Sequence, residues 1–186
     1  MRILLLLAVI NACAIASAEQ PVNKMQLEPE TRAWYRNPDG SCVQCSIGMA
    51  GDHANDLNAA SLLWDTHFGP AERGGSWPSR VAAYARRRGL EIYNVTGWPT
   101  TKTWMLWACK TGRFAAIGAG GSHFQTLYGY DPNTQTWYVC NNNSTDRIDS
   151  YSDRSFQRLH LASGPWIVVL KNSSSENPQL VKWWRE

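Results

Sequence analysis

Hydrophobic spacing changes character along the chain. From residue 41 to residue 112 most apolar positions recur at helical spacing, and from 113 to 170 most fall into short strand-length runs. Ser41 to Met49 predicts a helix opening at or near Cys45, just after the tight turn Asp39-Gly40. NDLNAASLLWD predicts a second helix, with Asn55 or Asp56 as cap and Leu57, Ala60, Leu63 and Trp64 on one face. Pro78 suits a first helical position, Val81, Ala82, Tyr84 and Ala85 continue it, and Gly89 stops it. Leu90 to Val95 predicts a strand, and TKTWMLWACKT a further helix capped by Thr100 or Thr101 and ended by Gly112. RFAAIGA, HFQTLYGY and TWYVCN then predict strands, the last two joined by the turn Asp131-Pro132-Asn133. A short helical turn near SDRSFQRL and a last apolar strand, PWIVVL, complete the pattern. Helices first and an antiparallel sheet after them define an α+β fold.

The two ends fall outside this pattern. Met1-Arg2, the apolar run ILLLLAVI and the small residues Ala16-Ser17-Ala18 match a secretory signal peptide, so residues 1–18 are expected to be removed after Ala18. That run is too short to span a bilayer, which needs about 20 apolar residues, and the rest of the chain contains no longer one. A secreted or periplasmic protein without a membrane span is therefore expected. Residues 19–171 read as one domain, and residues 172–186, opening on the polar NSSSENPQ, as a C-terminal tail. About 168 residues after the signal can bury a core without metal or disulfide staples, and a monomer is expected.

Charge excludes some partners. The formal net charge is +3, and losing residues 1–18 removes only Arg2, leaving +2. The densest basic cluster, Arg86-Arg87-Arg88, lies at a predicted helix end, where it complements the helix dipole. No block of like charge points to nucleic acid. His53, His67 and His160 have no close ligand partners in the sequence, and neither a metal nor a cofactor is expected. Gly118-Ala-Gly-Gly121 lacks the spacing of a nucleotide loop and instead lets the chain bend before His123.

The chemistry is concentrated in Cys42-Val-Gln-Cys45. Structural zinc would need two further ligands, yet Cys109 and Cys140 lie far apart on different elements. A redox pair would follow a strand in a βαβ unit, and here a turn precedes it. A framework of two disulfides would use all four cysteines. The fourth reading makes Cys45 a thiolate nucleophile at a helix N-terminus, where the dipole and free N–H groups stabilise negative charge. It needs a histidine base held by a third polar group. His123 begins one predicted strand and Asn141 ends its neighbour, so a hairpin places them at the same end.

Together, GSCVQCSIGMAG, HFQTLYGYD and WYVCNN resemble the papain-like cysteine peptidases: a cysteine opening a helix, then a histidine strand, then an asparagine strand. Seventy-eight residues separate Cys45 from His123, closer to the compact branch of bacteriocin leader (double-glycine) peptidases than to papain. The resemblance implies a papain-like fold whose nucleophile, at a helix start, packs on a C-terminal antiparallel sheet. It implies a thiol hydrolase acting on peptide or protein substrates through Cys45, His123 and Asn141. It also implies a half-cystine at Cys42, three residues before the nucleophile. The family usually carries a glutamine six residues before the nucleophile to hold the oxyanion. Here that residue is Asp39, whose carboxylate would repel it; Asn37 is the first substitute donor and Gln44 the second. An NlpC-type cell-wall amidase or endopeptidase, and an inactive secreted binding module, are the alternative readings.

With Cys45 reserved for chemistry, Cys109 and Cys140 are the favoured disulfide pair, because Cys140 points to the face opposite Asn141. Of ten tryptophans, Trp104, Trp107, Trp137 and Trp166 read as core, and Trp77 and Trp98 as groove-lining residues. Asn94, Asn142, Asn143 and Asn172 stand in glycosylation acceptor patterns.

Overall fold

The computed structural model describes residues 23–37, 40–53, 77–87 and 89–171. The expected signal peptide, the helix within residues 55–65, Asp39, His67, Asn172 and the tail lie outside these residues. The described elements are β1 (Asn23–Lys24), α1 (Pro29–Trp34), α2 (Cys42–His53), α3 (Pro78–Arg87), β2 (Ile92–Thr96), α4 (Thr100–Lys110), β3 (Ala115–Gly118), β4 (Phe124–Asp131), β5 (Thr136–Cys140), β6 (Asp149–Ser152), α5 (Asp153–Ala162) and β7 (Trp166–Leu170). The fold is α+β, as the pattern of periods predicts. No helix among the described residues is long and apolar enough to cross a membrane.

Every strand pairing is antiparallel, in the order β2-β7-β3-β4-β5-β6, with β1 attached to β4. β7, the last strand in the chain, inserts between β2 and β3, which explains why all five of its residues are apolar and buried. The β4–β5 register pairs Thr126 with Cys140 and Asp131 with Thr136. It therefore brings the start of β4 and the end of β5 to one edge of the domain. At the other end of this hairpin the Asp131 carboxylate accepts from the backbone of Asn133 and the hydroxyl of Thr134, closing the expected turn.

Trp104, Trp107, Trp137 and Trp166 are buried as expected. Trp137 stacks on Phe156 of α5 at 4.7 Å, and its indole N–H donates to Asp153, so one side chain both fills the core and fixes the start of α5. Trp77 is exposed over Arg80, and Trp98 packs beside His160 and Lys102. The expected threonine cap of α4 is replaced by Pro99, because Thr101 is buried and its hydroxyl is engaged by His160. The short turn near SDRSFQRL is a full ten-residue helix, with the Ser152 hydroxyl accepting from the Ser155 N–H.

β1, α1 and β6 are short, polar elements that hydrophobic spacing did not reveal. Their anchors are buried nonetheless. Met25 lies in the core, and Arg32 donates to the carbonyls of Leu27, Thr145 and Asp146. Residues 23–37 are thus built into the domain.

His160 is a buried junction of three elements. Its Nδ1 donates to the Gly118 carbonyl at 2.7 Å, which leaves Nε2 to accept the Thr101 hydroxyl at 2.9 Å. Burial holds its pKa below the ordinary histidine range, and burial does the same at His53. The unfolded chain therefore takes up protons, from about pH 6.5 downward, that the folded chain refuses. Stability is expected to fall between pH 7 and pH 5.5, read as a lower urea midpoint. Asp131 and Asp146, whose carboxyls are held low by the hydroxyls of Thr134 and Ser144, titrate further down. A midpoint that is flat or rising over that window would contradict the assignment.

Candidate active site

α2 begins one turn earlier than its hydrophobic pattern suggests. Gly40, at φ +68°, ends the turn. Asn37 Oδ1 then accepts from the Ser41 N–H at 2.9 Å, and the Cys45 N–H bonds to the Ser41 carbonyl at 3.0 Å. Ser41 is therefore the capping residue, and Cys42, Val43 and Gln44 are the first three helical positions, whose N–H groups have no acceptor within the helix. The expected helix start at Cys45 is corrected to Cys42. The helix N-terminus therefore belongs to Cys42, while the Cys45 N–H is bonded to the Ser41 carbonyl.

The two thiols differ in what surrounds them. Cys42 is 8% exposed and lies in the turn that the Asn142 amide ties to Phe124, the residue following His123. Burial pushes the Cys42 thiol up, and the N–H groups of Phe124, Val43 and Cys42 pull the other way. Cys45 is 0% exposed; its thiol donates to the Arg36 carbonyl at 3.9 Å. It lies beside Tyr35, whose hydroxyl is held well above its usual pKa by burial and then by its hydrogen bond to Asp52. Cys45 is therefore enclosed behind Tyr35 and Arg36.

His123 immediately precedes β4 and Asn141 immediately follows β5. Their side chains meet as expected, with His123 Nε2 3.0 Å from Asn141 Oδ1. Asn141 Oδ1 also accepts the Asn143 N–H at 2.9 Å, which fixes that atom as the oxygen. An amide oxygen only accepts, so Nε2 carries the proton and Nδ1 is the basic nitrogen of the neutral ring. The approach to His123 is a tight bend: Gly120 and Gly121 have φ +78° and +77°, and the Ala119 N–H bonds back to the His123 carbonyl.

Asn142, which the sequence marks by a glycosylation acceptor pattern, joins these parts. It is 0% exposed, and its Nδ2 donates to the Cys42 carbonyl at 2.8 Å, the Ser46 hydroxyl at 2.9 Å and the Phe124 carbonyl at 3.1 Å. One buried amide thus ties the first turn of α2 to the first residue of β4. Asn142 is closed to glycosylation in the folded chain, and Asn94 uses its amide on Pro78 and Trp166.

Asn37 is a staple between segments. Besides capping Ser41, it donates from Nδ2 to Asn143 Oδ1 at 3.1 Å and from its N–H to the Asn142 carbonyl at 2.7 Å. Gln44 is buried in the first turn of α2. A cavity of about 440 Å³, lined by Pro29, Glu30, Ala33, Arg36, Asn143, Ser144, Thr145 and Asp146, adjoins the His123–Asn141 pair through Asn143.

No disulfide joins the four described cysteines, so neither the expected Cys109–Cys140 bridge nor the implied half-cystine at Cys42 is formed among them. Cys140 directs its thiol to the Arg147 carbonyl at 4.0 Å, and burial pushes its pKa up to about 11. Cys109 is enclosed in α4, and burial pushes its thiol further up. No group of three or more His, Cys, Asp or Glu among the described residues is placed to hold a metal ion. No protein-family model matches the chain, and no curated protein sequence matches it either.

Proposed function

We propose that this protein is a thiol hydrolase cleaving peptide bonds through Cys42, His123 and Asn141, with Cys42 in the role that sequence spacing alone gave to Cys45. The observation that carries the reading is the buried Asn142 amide, which bonds to the carbonyls of both Cys42 and Phe124 and so holds the first turn of α2 against the residue that follows His123. The papain-like arrangement is supported by the same order of parts: a thiol in the first turn of a helix, a histidine at a strand start and an asparagine after the next strand.

His123 Nδ1 takes the Cys42 proton, a transfer that matters because burial disfavours the lone thiolate. The thiolate attacks the substrate carbonyl carbon, and the Cys42 N–H, at the helix start, donates to the developing oxyanion. The C–N bond breaks as His123 returns the proton to the leaving amine. Water then hydrolyses the thioester and restores the thiol. Counted from Cys42, the family's glutamine position falls on Arg36 rather than Asp39. A guanidinium on the cavity wall favours an oxyanion where a carboxylate would oppose it.

Asn141, rather than a second histidine, orients the ring, and this favours a peptidase over a cell-wall amidase. Residues 1–18 would export it, and the cavity beside Asn143 would receive part of a peptide chain. The test is digestion of a casein or peptide library beside purified peptidoglycan, under reducing conditions, with Cys42→Ala as control. Cleavage of peptides by the wild type alone is expected. Cleavage of peptidoglycan only would give the amidase reading, and cleavage of neither would end the proposal.

A further inference from the structure

The geometry points to Cys42 and Cys45 as a site of reversible oxidation, in which the buried Cys45 captures oxidised Cys42 as an intrahelical disulfide. It rests on Cys42 being the reactive thiol of the proposed hydrolase, and it adds a role for Cys45 that catalysis leaves unused. Positions one and four of α2 lie one turn apart on the same side of the helix. Their Cα atoms are then about 5 Å apart, inside the span of a disulfide. Their Cβ atoms must close by about 1–2 Å, which tightening the first turn toward a 3₁₀ geometry provides.

The environments divide the roles. Cys42 is the one a small oxidant reaches, being 8% exposed against 0% for Cys45. Cys45 is enclosed behind Tyr35 and Arg36, so an oxidant acts on Cys42 first and Cys45 reacts with what forms there.

The oxidant is a hydroperoxide. The Cys42 thiolate attacks its terminal oxygen, the O–O bond breaks, and the departing alkoxide or hydroxide takes a proton from solvent, leaving Cys42 as sulfenic acid. Sulfur loses two electrons and the peroxide gains them. The Cys45 sulfur then attacks the sulfenic sulfur; the S–S bond forms, the S–O bond breaks, and the hydroxyl leaves with the Cys45 proton as water. An external dithiol reverses the step, giving back two thiols and becoming a disulfide itself. Without Cys45 the sulfenic acid is open to further oxidation to sulfinic acid, which dithiols do not reduce.

The experiment exposes the purified protein to a few equivalents of hydrogen peroxide, blocks remaining thiols, and maps peptides without reduction. The wild type is expected to lose about 2 Da, with the link inside the peptide carrying residues 42–45, and to regain both thiols with dithiothreitol. Cys45→Ser and Cys45→Ala, with folding verified by circular dichroism, should instead gain about 32 Da at Cys42 and recover about tenfold less thiol. A bridge at other cysteines, or equal irreversible oxidation of Cys42 in wild type and both variants, would overturn the proposal. Peptide turnover before peroxide reads the hydrolase separately. A bridged protein without turnover would end the functional reading alone, and an active protein that never bridges would end this one alone.

Discussion

Cys42→Ala is expected to lower kcat/KM on a cleaved peptide by about 10⁴-fold or more, while Cys45→Ala stays within about threefold of the wild type. The two residues are three positions apart and both are buried, so the contrast is a sharp one. It follows from the Asn142 bonds that hold the first turn of α2 beside the residue after His123, and from the Ser41 carbonyl taking the Cys45 N–H. In the proposed mechanism, removing Cys42 deletes the sulfur that would form the acyl-enzyme. Removing Cys45 deletes a sulfur that bonds to the Arg36 carbonyl, at a packing cost of about 1–2 kcal/mol. Steady-state kinetics on folded variants would decide the matter. An inactive Cys45→Ala beside an active Cys42→Ala would return the nucleophile to Cys45.

Asn142→Ala is expected to cost roughly 2–4 kcal/mol of stability and about 10²-fold in kcat/KM. Its amide serves three acceptors in a site closed to water, and alanine leaves the carbonyls of Cys42 and Phe124 without that donor. The same bonds hold the nucleophile's turn against the strand that follows His123, so stability and activity fall together. The neighbouring Asn141→Ala should behave differently. Asn141 is only half-buried and holds the imidazole, so its loss should cost a comparable factor in rate and little in stability. Urea midpoints and kinetics on both variants test the split. An unchanged midpoint for Asn142→Ala would show that the clamp does not bear on the fold.

How far the sequence reveals this arrangement depends on where burial changes along the chain. β4 and β5 were legible because apolar runs end at defined turns, and their register brings His123 to Asn141 without further information. The start of α2 was not legible. Residues 42–51 are all buried, so apolar spacing carries no contrast between the first turn and the second. The boundary is set instead by Ser41 and by the side chain of Asn37, four residues before it. Asn142 was hidden for a related reason: three consecutive asparagines look alike in sequence, and only the register turns one toward the imidazole and the next toward the Phe124 carbonyl. Arg32 was hidden too, since a guanidinium in a short polar helix reads as surface until its three carbonyl partners are seen.

The most direct test of the central claim is to treat the reduced protein with iodoacetamide at neutral pH and map the alkylated cysteines over time. Cys42 is expected to react first, at least about tenfold more slowly in a His123→Ala variant, while Cys45 reacts only on unfolding. Labelling that begins at Cys45, or a Cys42 rate indifferent to His123, would contradict the account.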